Sequence, residues 1–81
     1  SSMLGAGIHD GDVLVVDRSL TPGHGQVVIA IVDGDFTVKR LHRQGGQIRL
    51  VAENADYPDI TFCEGQELLI WGVVTNVVHK L

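Results

Sequence analysis

The chain has 81 residues, of which 44% are hydrophobic, and a formal net charge of −4 at pH 7. This length and composition fit one small domain with a packed core, covering residues 1–81, and argue against a disordered chain. The acidic balance argues against direct nucleic-acid binding, and no apolar run reaches the roughly 18 residues of a membrane span. A single cysteine, Cys63, cannot form an internal disulfide, which fits a reducing cytosol.

Turn residues divide the chain into short β-rich segments. A glycine-rich start with one helical turn near Met3 is followed by predicted strands at 13–17, 27–32, 36–41, 47–51 and 60–62. The long apolar segment 67–78 contains Gly72, which predicts a bulge or bend that splits it into two strands. No stretch has a convincing helical period. The sequence therefore predicts a mostly β fold of six or seven mainly antiparallel strands.

Asp33-Gly34 lies between two β-rich runs and predicts a two-residue hairpin turn. Such a turn pairs Val28 with Lys39 and makes 27–32 a central strand. This strand is apolar on both faces, so we expect both faces to be covered. The residues expected to be deeply buried are Val28, Ala30, Leu14, Val16 and Ile70.

The second strand of this hairpin carries two adjacent cations, Lys39 and Arg40, which must point to opposite faces. Lys39 shares its face with Thr37 and Leu41. A lysine placed against apolar neighbours loses solvation and its pKa falls, which allows it to act as a base. The alternative is a lysine on an edge strand whose ammonium reaches water, in a small β-barrel without catalytic activity. The hairpin alone favours this second interpretation.

Most other reactive side chains have a structural explanation. Asp10, Asp12 and the other paired aspartates flank glycines in turns, and Cys63 fits a small buried hydrophobe. No histidine stands at metal-ligand spacing from another or from Cys63, so no metal site is predicted; the four are His9, His24, His42 and His79. The segment 5–7 lacks the context of a phosphate-binding loop. Ser2 and Lys39 remain, because a serine hydroxyl needs a base and a neutral lysine can serve.

Several motifs, taken in order along the chain, resemble one family. They are Ser2-Met3 before the glycine-rich stretch, the run 11–17 (GDVLVVD), the run 36–41 (FTVKRL), and Glu53-Asn54 with Tyr57, followed near the end by 72–74 (GVV). Together they resemble the self-cleaving peptidase domain shared by LexA, UmuD and some phage repressors, peptidase family S24, over nearly the whole chain. Segments 24–30 and 32–41, with the ending 71–78, are most similar to the UmuD branch.

The resemblance implies a LexA/signal-peptidase-like β-fold and a serine endopeptidase with a Ser–Lys dyad, in which Ser2 is the nucleophile and Lys39 the general base. It implies intramolecular cleavage stimulated by a RecA filament in the bacterial cytoplasm, with no cofactor. The processed form would pair as a homodimer and join a UmuC-like DNA polymerase in translesion synthesis. The alternative is the C-terminal dimerisation and self-cleavage domain of a LexA-like repressor.

The start of the chain departs from the family pattern. The family usually has Gly-Asp before the nucleophile, whereas Ser1 precedes Ser2 here. The cleaved bond lies upstream of the nucleophile in this family, so we expect a domain truncated at its N-terminus that cannot cleave itself. A helix-turn-helix domain upstream of Ser1 would indicate the LexA-like protein. The segment 71–81 is apolar on both faces, which predicts a two-fold homodimer.

Overall fold

The computed structural model describes residues 2–62 and 68–81. These residues form a short 3₁₀ turn at Leu4–Ala6 and six strands. The strands are β1 (Val13–Asp17), β2 (Val27–Val32), β3 (Asp35–Gln44), β4 (Gln47–Val51), β5 (Ile60–Phe62) and β6 (Leu68–Val78). The prediction of a mostly β fold with six or seven mainly antiparallel strands is confirmed. Within these described ranges, no helix has the length and apolar character needed to cross a membrane.

All six strands belong to one sheet, in the order β1-β6-β2-β3-β4-β5, and every neighbouring pair is antiparallel. As predicted, β2 lies inside the sheet, between β6 and β3. β3 lies between β2 and β4, but its residues 35–39 pair with β2 alone, and pairing with β4 begins at Arg40. The strand pairing by itself therefore does not exclude the alternative of a lysine on a strand edge.

The β2–β3 hairpin forms as the sequence predicts. Asp33 has φ 50° and Gly34 has φ 85°, the paired left-handed conformations of a tight hairpin turn. Val32 pairs with Asp35 and Val28 with Lys39. However, β3 continues past the predicted end at residue 41 to Gln44, because residues 42–44 pair with 47–49 of β4 through a second tight turn. Because Lys39 pairs with the fully buried Val28, the hairpin register places the Lys39 side chain on the core face of the sheet.

The core lies on one face of the sheet. Its buried side chains are Val28, Ala30, Leu41, Leu50 and Val73. Two of the five residues expected to be deeply buried are in this set, but Leu14, Val16 and Ile70 are only half-buried. The expected cover on both faces of β2 is also wrong, since Val27, Ile29 and Ile31 are half-buried. The core side chains gather on the face of β2 that carries Val28 and Ala30, and the other face stays partly open.

β6 is one strand, so the predicted split at Gly72 is wrong, whereas the predicted bulge is present. Ile29 pairs with Gly72 and Ala30 with Ile70, which leaves Trp71 as the extra residue. β6 pairs with β2 through residues 68–73 and with β1 through residues 73–78, and the two pairings meet at Val73. A Cβ at Gly72 would overlap Cγ1 of Val16, so close approach of β1 explains this glycine.

Candidate active site

Ser2 and Lys39, which are 37 residues apart in the sequence, meet at one end of the core. Lys39 Nζ lies 2.7 Å from Ser2 Oγ. Lys39 projects from the middle of β3, and Ser2 immediately precedes Met3, whose side chain is only 2% exposed and anchors the N-terminal turn. The expected hydrogen-bond contact between the two side chains is therefore present.

Lys39 is buried, whereas the interpretation that the hairpin alone favours has its ammonium reach water. Its residue surface is only 9% exposed, and on its face of β3 it neighbours Thr37 and the fully buried Leu41. Burial lowers the pKa of Lys39, because removal of water penalises the ammonium form. A larger fraction of this side chain is therefore a neutral amine near physiological pH than for a lysine in water.

Three oxygen atoms surround Lys39 Nζ. In addition to Ser2 Oγ, Nζ donates to Thr37 Oγ1 at 2.8 Å and to the Val38 carbonyl oxygen at 3.1 Å. A neutral amine has two N–H groups and one lone pair. If the two N–H groups are directed at Thr37 and Val38, the lone pair faces the Ser2 hydroxyl. These contacts favour the orientation in which Lys39 can accept the serine proton.

The 3₁₀ turn after Ser2 is held by backbone hydrogen bonds. The Met3 carbonyl accepts from the N–H of Ala6 at 3.1 Å and of Ile8 at 3.2 Å. The Gly5 N–H donates to the Glu53 carbonyl at 2.6 Å, which joins the turn to the loop after β4. A Cβ at Gly5 would overlap that carbonyl oxygen. The turn therefore depends on a close backbone approach that only glycine permits at this position.

A groove of about 380 Å³ opens beside the Ser2–Lys39 pair. It is lined by residues 2–3, 8–12 and 36–39 and by Leu14. Asp12 lies on the groove wall, where its carboxylate accepts the His9 backbone N–H at 2.7 Å, as expected for an aspartate in a turn. The volume is within the range of small-ligand pockets, about 300–1,000 Å³, so an extended peptide segment could reach the serine.

The other candidate groups are not part of this arrangement. The histidines form two edge-to-face pairs that were not predicted, His9 with His79 (ring centroids 5.8 Å apart) and His24 with His42 (5.0 Å). In 2–62 and 68–81, no three or more His, Cys, Asp or Glu side chains are grouped as metal ligands. Ser1 and Cys63 lie outside the described residues.

Two features of the site were missed from the sequence. Strand periodicity placed Thr37 on the same face of β3 as Lys39, but the hydrogen bond from Lys39 Nζ to Thr37 Oγ1 was not predicted. No sequence pattern predicts the ion pair between Arg40 and Glu53, because the two residues are brought together only when the loop after β4 folds back onto β3.

Comparisons with known proteins agree with the resemblance of the motifs. Residues 1–75 match the family described as Peptidase S24-like. The chain is 43% identical over 79 residues to the LexA repressor of Cupriavidus taiwanensis, covering 98% of this chain and 36% of that protein. It is 45% identical over 80 residues to Protein ImpA of Salmonella typhimurium, covering 98% of this chain and 53% of that protein. The chain thus spans about a third to a half of the length of these relatives.

Proposed function

Because the chain belongs to the Peptidase S24-like family, we propose that it is the catalytic domain of a self-cleaving serine endopeptidase. In this proposal Ser2 is the nucleophile and Lys39 is the general base. The observation that carries it is the 2.7 Å contact between Ser2 Oγ and the amine of a buried lysine. Burial lowers the pKa of that amine, which is what a base for serine requires.

The reaction proceeds in two steps. Lys39 Nζ accepts the hydroxyl proton as Ser2 Oγ attacks the carbonyl carbon of a peptide bond, and the resulting ammonium gives that proton to the departing amine. The acyl group remains on Ser2 as an ester. Water then attacks the ester, with its proton again accepted by Lys39, and the acid product leaves with the serine restored. Thr37 and Val38 hold the amine throughout through their hydrogen bonds.

For the whole protein we propose a UmuD-like role in the bacterial cytoplasm. Self-cleavage would be stimulated by a RecA filament, and the processed form would be a homodimeric subunit of an error-prone polymerase with a UmuC-like partner. The similarity of segments 24–30 and 32–41 to the UmuD branch supports this choice. The second candidate is the C-terminal half of a transcriptional repressor, which the 43% identity to a LexA repressor supports. The gene sequence upstream of Ser1 distinguishes the two.

The test is the pH–rate profile of self-cleavage in the full-length gene product. The rate should rise with pH as Lys39 loses its proton, and cleavage should disappear in Ser2→Ala and in Lys39→Ala. Ser19→Ala and Lys80→Ala are matched controls, because both are exposed residues of the same types away from the groove. Cleavage that survives in Ser2→Ala or Lys39→Ala would refute the dyad, whatever the wild-type rate.

A further inference from the structure

Arg40 joins two loops to the strand that carries the base. It follows Lys39 on β3 and points to the opposite face of the sheet. Its Nη1 donates to the Gly25 carbonyl at 2.7 Å, and its Nε forms an ion pair with the Glu53 carboxylate. The two charged side chains are 31% and 32% exposed, so water screens the pair only in part.

Glu53 has a second contact, made by its backbone. Its carbonyl accepts the Gly5 N–H at 2.6 Å, within the turn that starts just after Ser2. The side chain of Glu53 thus binds the strand of the base, and its main chain binds the turn of the nucleophile. Because this backbone hydrogen bond joins Glu53 directly to the turn, we expect a displacement of Glu53 to shift the turn as well.

We propose that Arg40 and Glu53 are positioning residues, which together fix Ser2 at the correct distance from Lys39. This inference rests on the proposed dyad. Arg40 is the residue next to Lys39, so the ion pair and the base share one rigid strand. The loop of Glu53 is held at a fixed place relative to that strand, and through Gly5 it fixes the turn that carries Ser2. Neither Arg40 nor Glu53 touches the reacting atoms.

A second ion pair provides a matched control. Arg49 on β4 contacts Asp59 at 3.3 Å, and these side chains are 39% and 39% exposed. This pair also joins a strand to the segment that contains Glu53, but it does so at the end next to β5. Loss of Asp59 therefore removes a similar arginine–carboxylate interaction without removing the contact that holds Gly5.

The experiment measures self-cleavage of the full-length protein in Glu53→Ala, Glu53→Gln, Arg40→Met and Asp59→Asn. Because a misplacement of 1 Å can cost about 100-fold in rate, we expect Glu53→Ala and Arg40→Met to be slower by about 10- to 100-fold. Glu53→Gln keeps an oxygen that can accept from Arg40 and should recover part of the rate. Asp59→Asn should stay within about twofold of wild type, as expected for an exposed pair.

The pH dependence separates positioning from a change in the base. Lys39 keeps its buried surroundings in these variants, so the pH at which the rate is half-maximal should stay at the wild-type value while the plateau rate falls. A general loss of folding is checked by thermal unfolding, with all rates measured well below the transition. If the half-maximal pH moves and the plateau does not fall, Glu53 and Arg40 act on the pKa of Lys39 and the inference is wrong.

Substitution at Gly5 tests the same connection from the other side. Gly5→Ala keeps Arg40 and Glu53 but forces the turn away from the Glu53 carbonyl, so cleavage should fall at least as far as in Glu53→Ala. Gly23→Ala is the control, because its Cβ would meet only the side-chain oxygen of Gln26, at an ordinary 3.6 Å.

The outcomes distinguish this inference from the proposed function. Self-cleavage that persists at the wild-type rate in Ser2→Ala would overturn the dyad itself. Cleavage that depends on Ser2, combined with wild-type rates in Glu53→Ala and Arg40→Met, would overturn only the positioning role. An equal loss of cleavage rate in Asp59→Asn would also overturn the positioning role, since the effect would then not be specific to the ion pair between Arg40 and Glu53.

Discussion

Replacement of Lys39 by methionine should remove a specific pH dependence from the stability of the fold. Lys39 is 9% exposed, and its burial holds its pKa below the ordinary lysine value of 10.5. The unfolded chain therefore binds more protons than the folded chain in the pH window between the lowered pKa and 10.5. Stability must rise with pH through that window, since the charged form of the buried amine opposes folding.

The size of the effect follows from proton linkage. One proton taken up on unfolding changes the free energy of unfolding by at most about 1.4 kcal/mol per pH unit. The contribution from Lys39 is positive within its window, cannot exceed this slope, and vanishes on either side of the window. Methionine has a similar length and no charge, so Lys39→Met should lack this contribution while it still fills the space beside Leu41.

The assay is urea unfolding of wild type and Lys39→Met at closely spaced pH values from 7 to 10. The difference between the two free energies of unfolding isolates Lys39, because all other titrating groups are common to both proteins. Lys80→Met is the control, since Lys80 is the only other lysine in the sequence and is exposed.

Parallel pH curves for wild type and Lys39→Met would refute the argument, because a lysine with an unperturbed amine has no linkage in this range. The wild-type rise should also begin near the pH at which self-cleavage accelerates, since one proton controls both. If cleavage accelerates at a different pH, the group that limits the reaction is not Lys39.

The remaining predictions concern the orientation of the base, the core and the assembly. Thr37→Val removes one acceptor of Lys39 Nζ, so self-cleavage of the full-length protein should slow by about tenfold, a small part of the 10²–10⁴ typical of general-base catalysis; an unchanged rate would exclude this orienting role. Leu41→Ala in the fully buried core should lower the free energy of unfolding by about 2–5 kcal/mol in urea titrations, and a loss below 1 kcal/mol would mean that the site relaxes around the cavity. In the C-terminal segment 71–81, Val78 is 57% exposed, and we expect this segment to form a homodimer interface. Sedimentation should therefore detect a homodimer at a protein concentration of tens of micromolar, and a monomer at that concentration would contradict a dimer of roughly micromolar affinity.

Local rules explain why much of the sheet could be predicted. The Asp33-Gly34 dipeptide adopts the left-handed pair of conformations that a tight hairpin needs, so the register of Val28 with Lys39 followed from two residues. Strand alternation then placed Lys39 with Thr37 and Leu41. The same local rules gave a wrong result at Gly72, where β6 continues without a break although its main partner changes from β2 to β1 near Val73.

Burial was predicted less well than register. An apolar strand such as β2 indicates that water is excluded from the strand, but not whether it is excluded from one face or from both. In this sheet only the face with Val28 and Ala30 is fully buried. The half-buried Leu14 and Val16 follow from the position of β1 at the edge of the sheet, where a strand has one neighbour.

The sequence by itself determined the strand segments, the hairpin register and the face on which the lysine lies, because turn chemistry and side-chain alternation act over a few residues. It also supplied the motifs by which the family was identified. Only the tertiary structure brought Ser2 to 2.7 Å from Lys39 and joined Arg40 to Glu53, because these contacts close loops of 37 and 13 residues. Their distances depend on how the turn at Gly5 and the loop after β4 pack together, and no local preference encodes that packing.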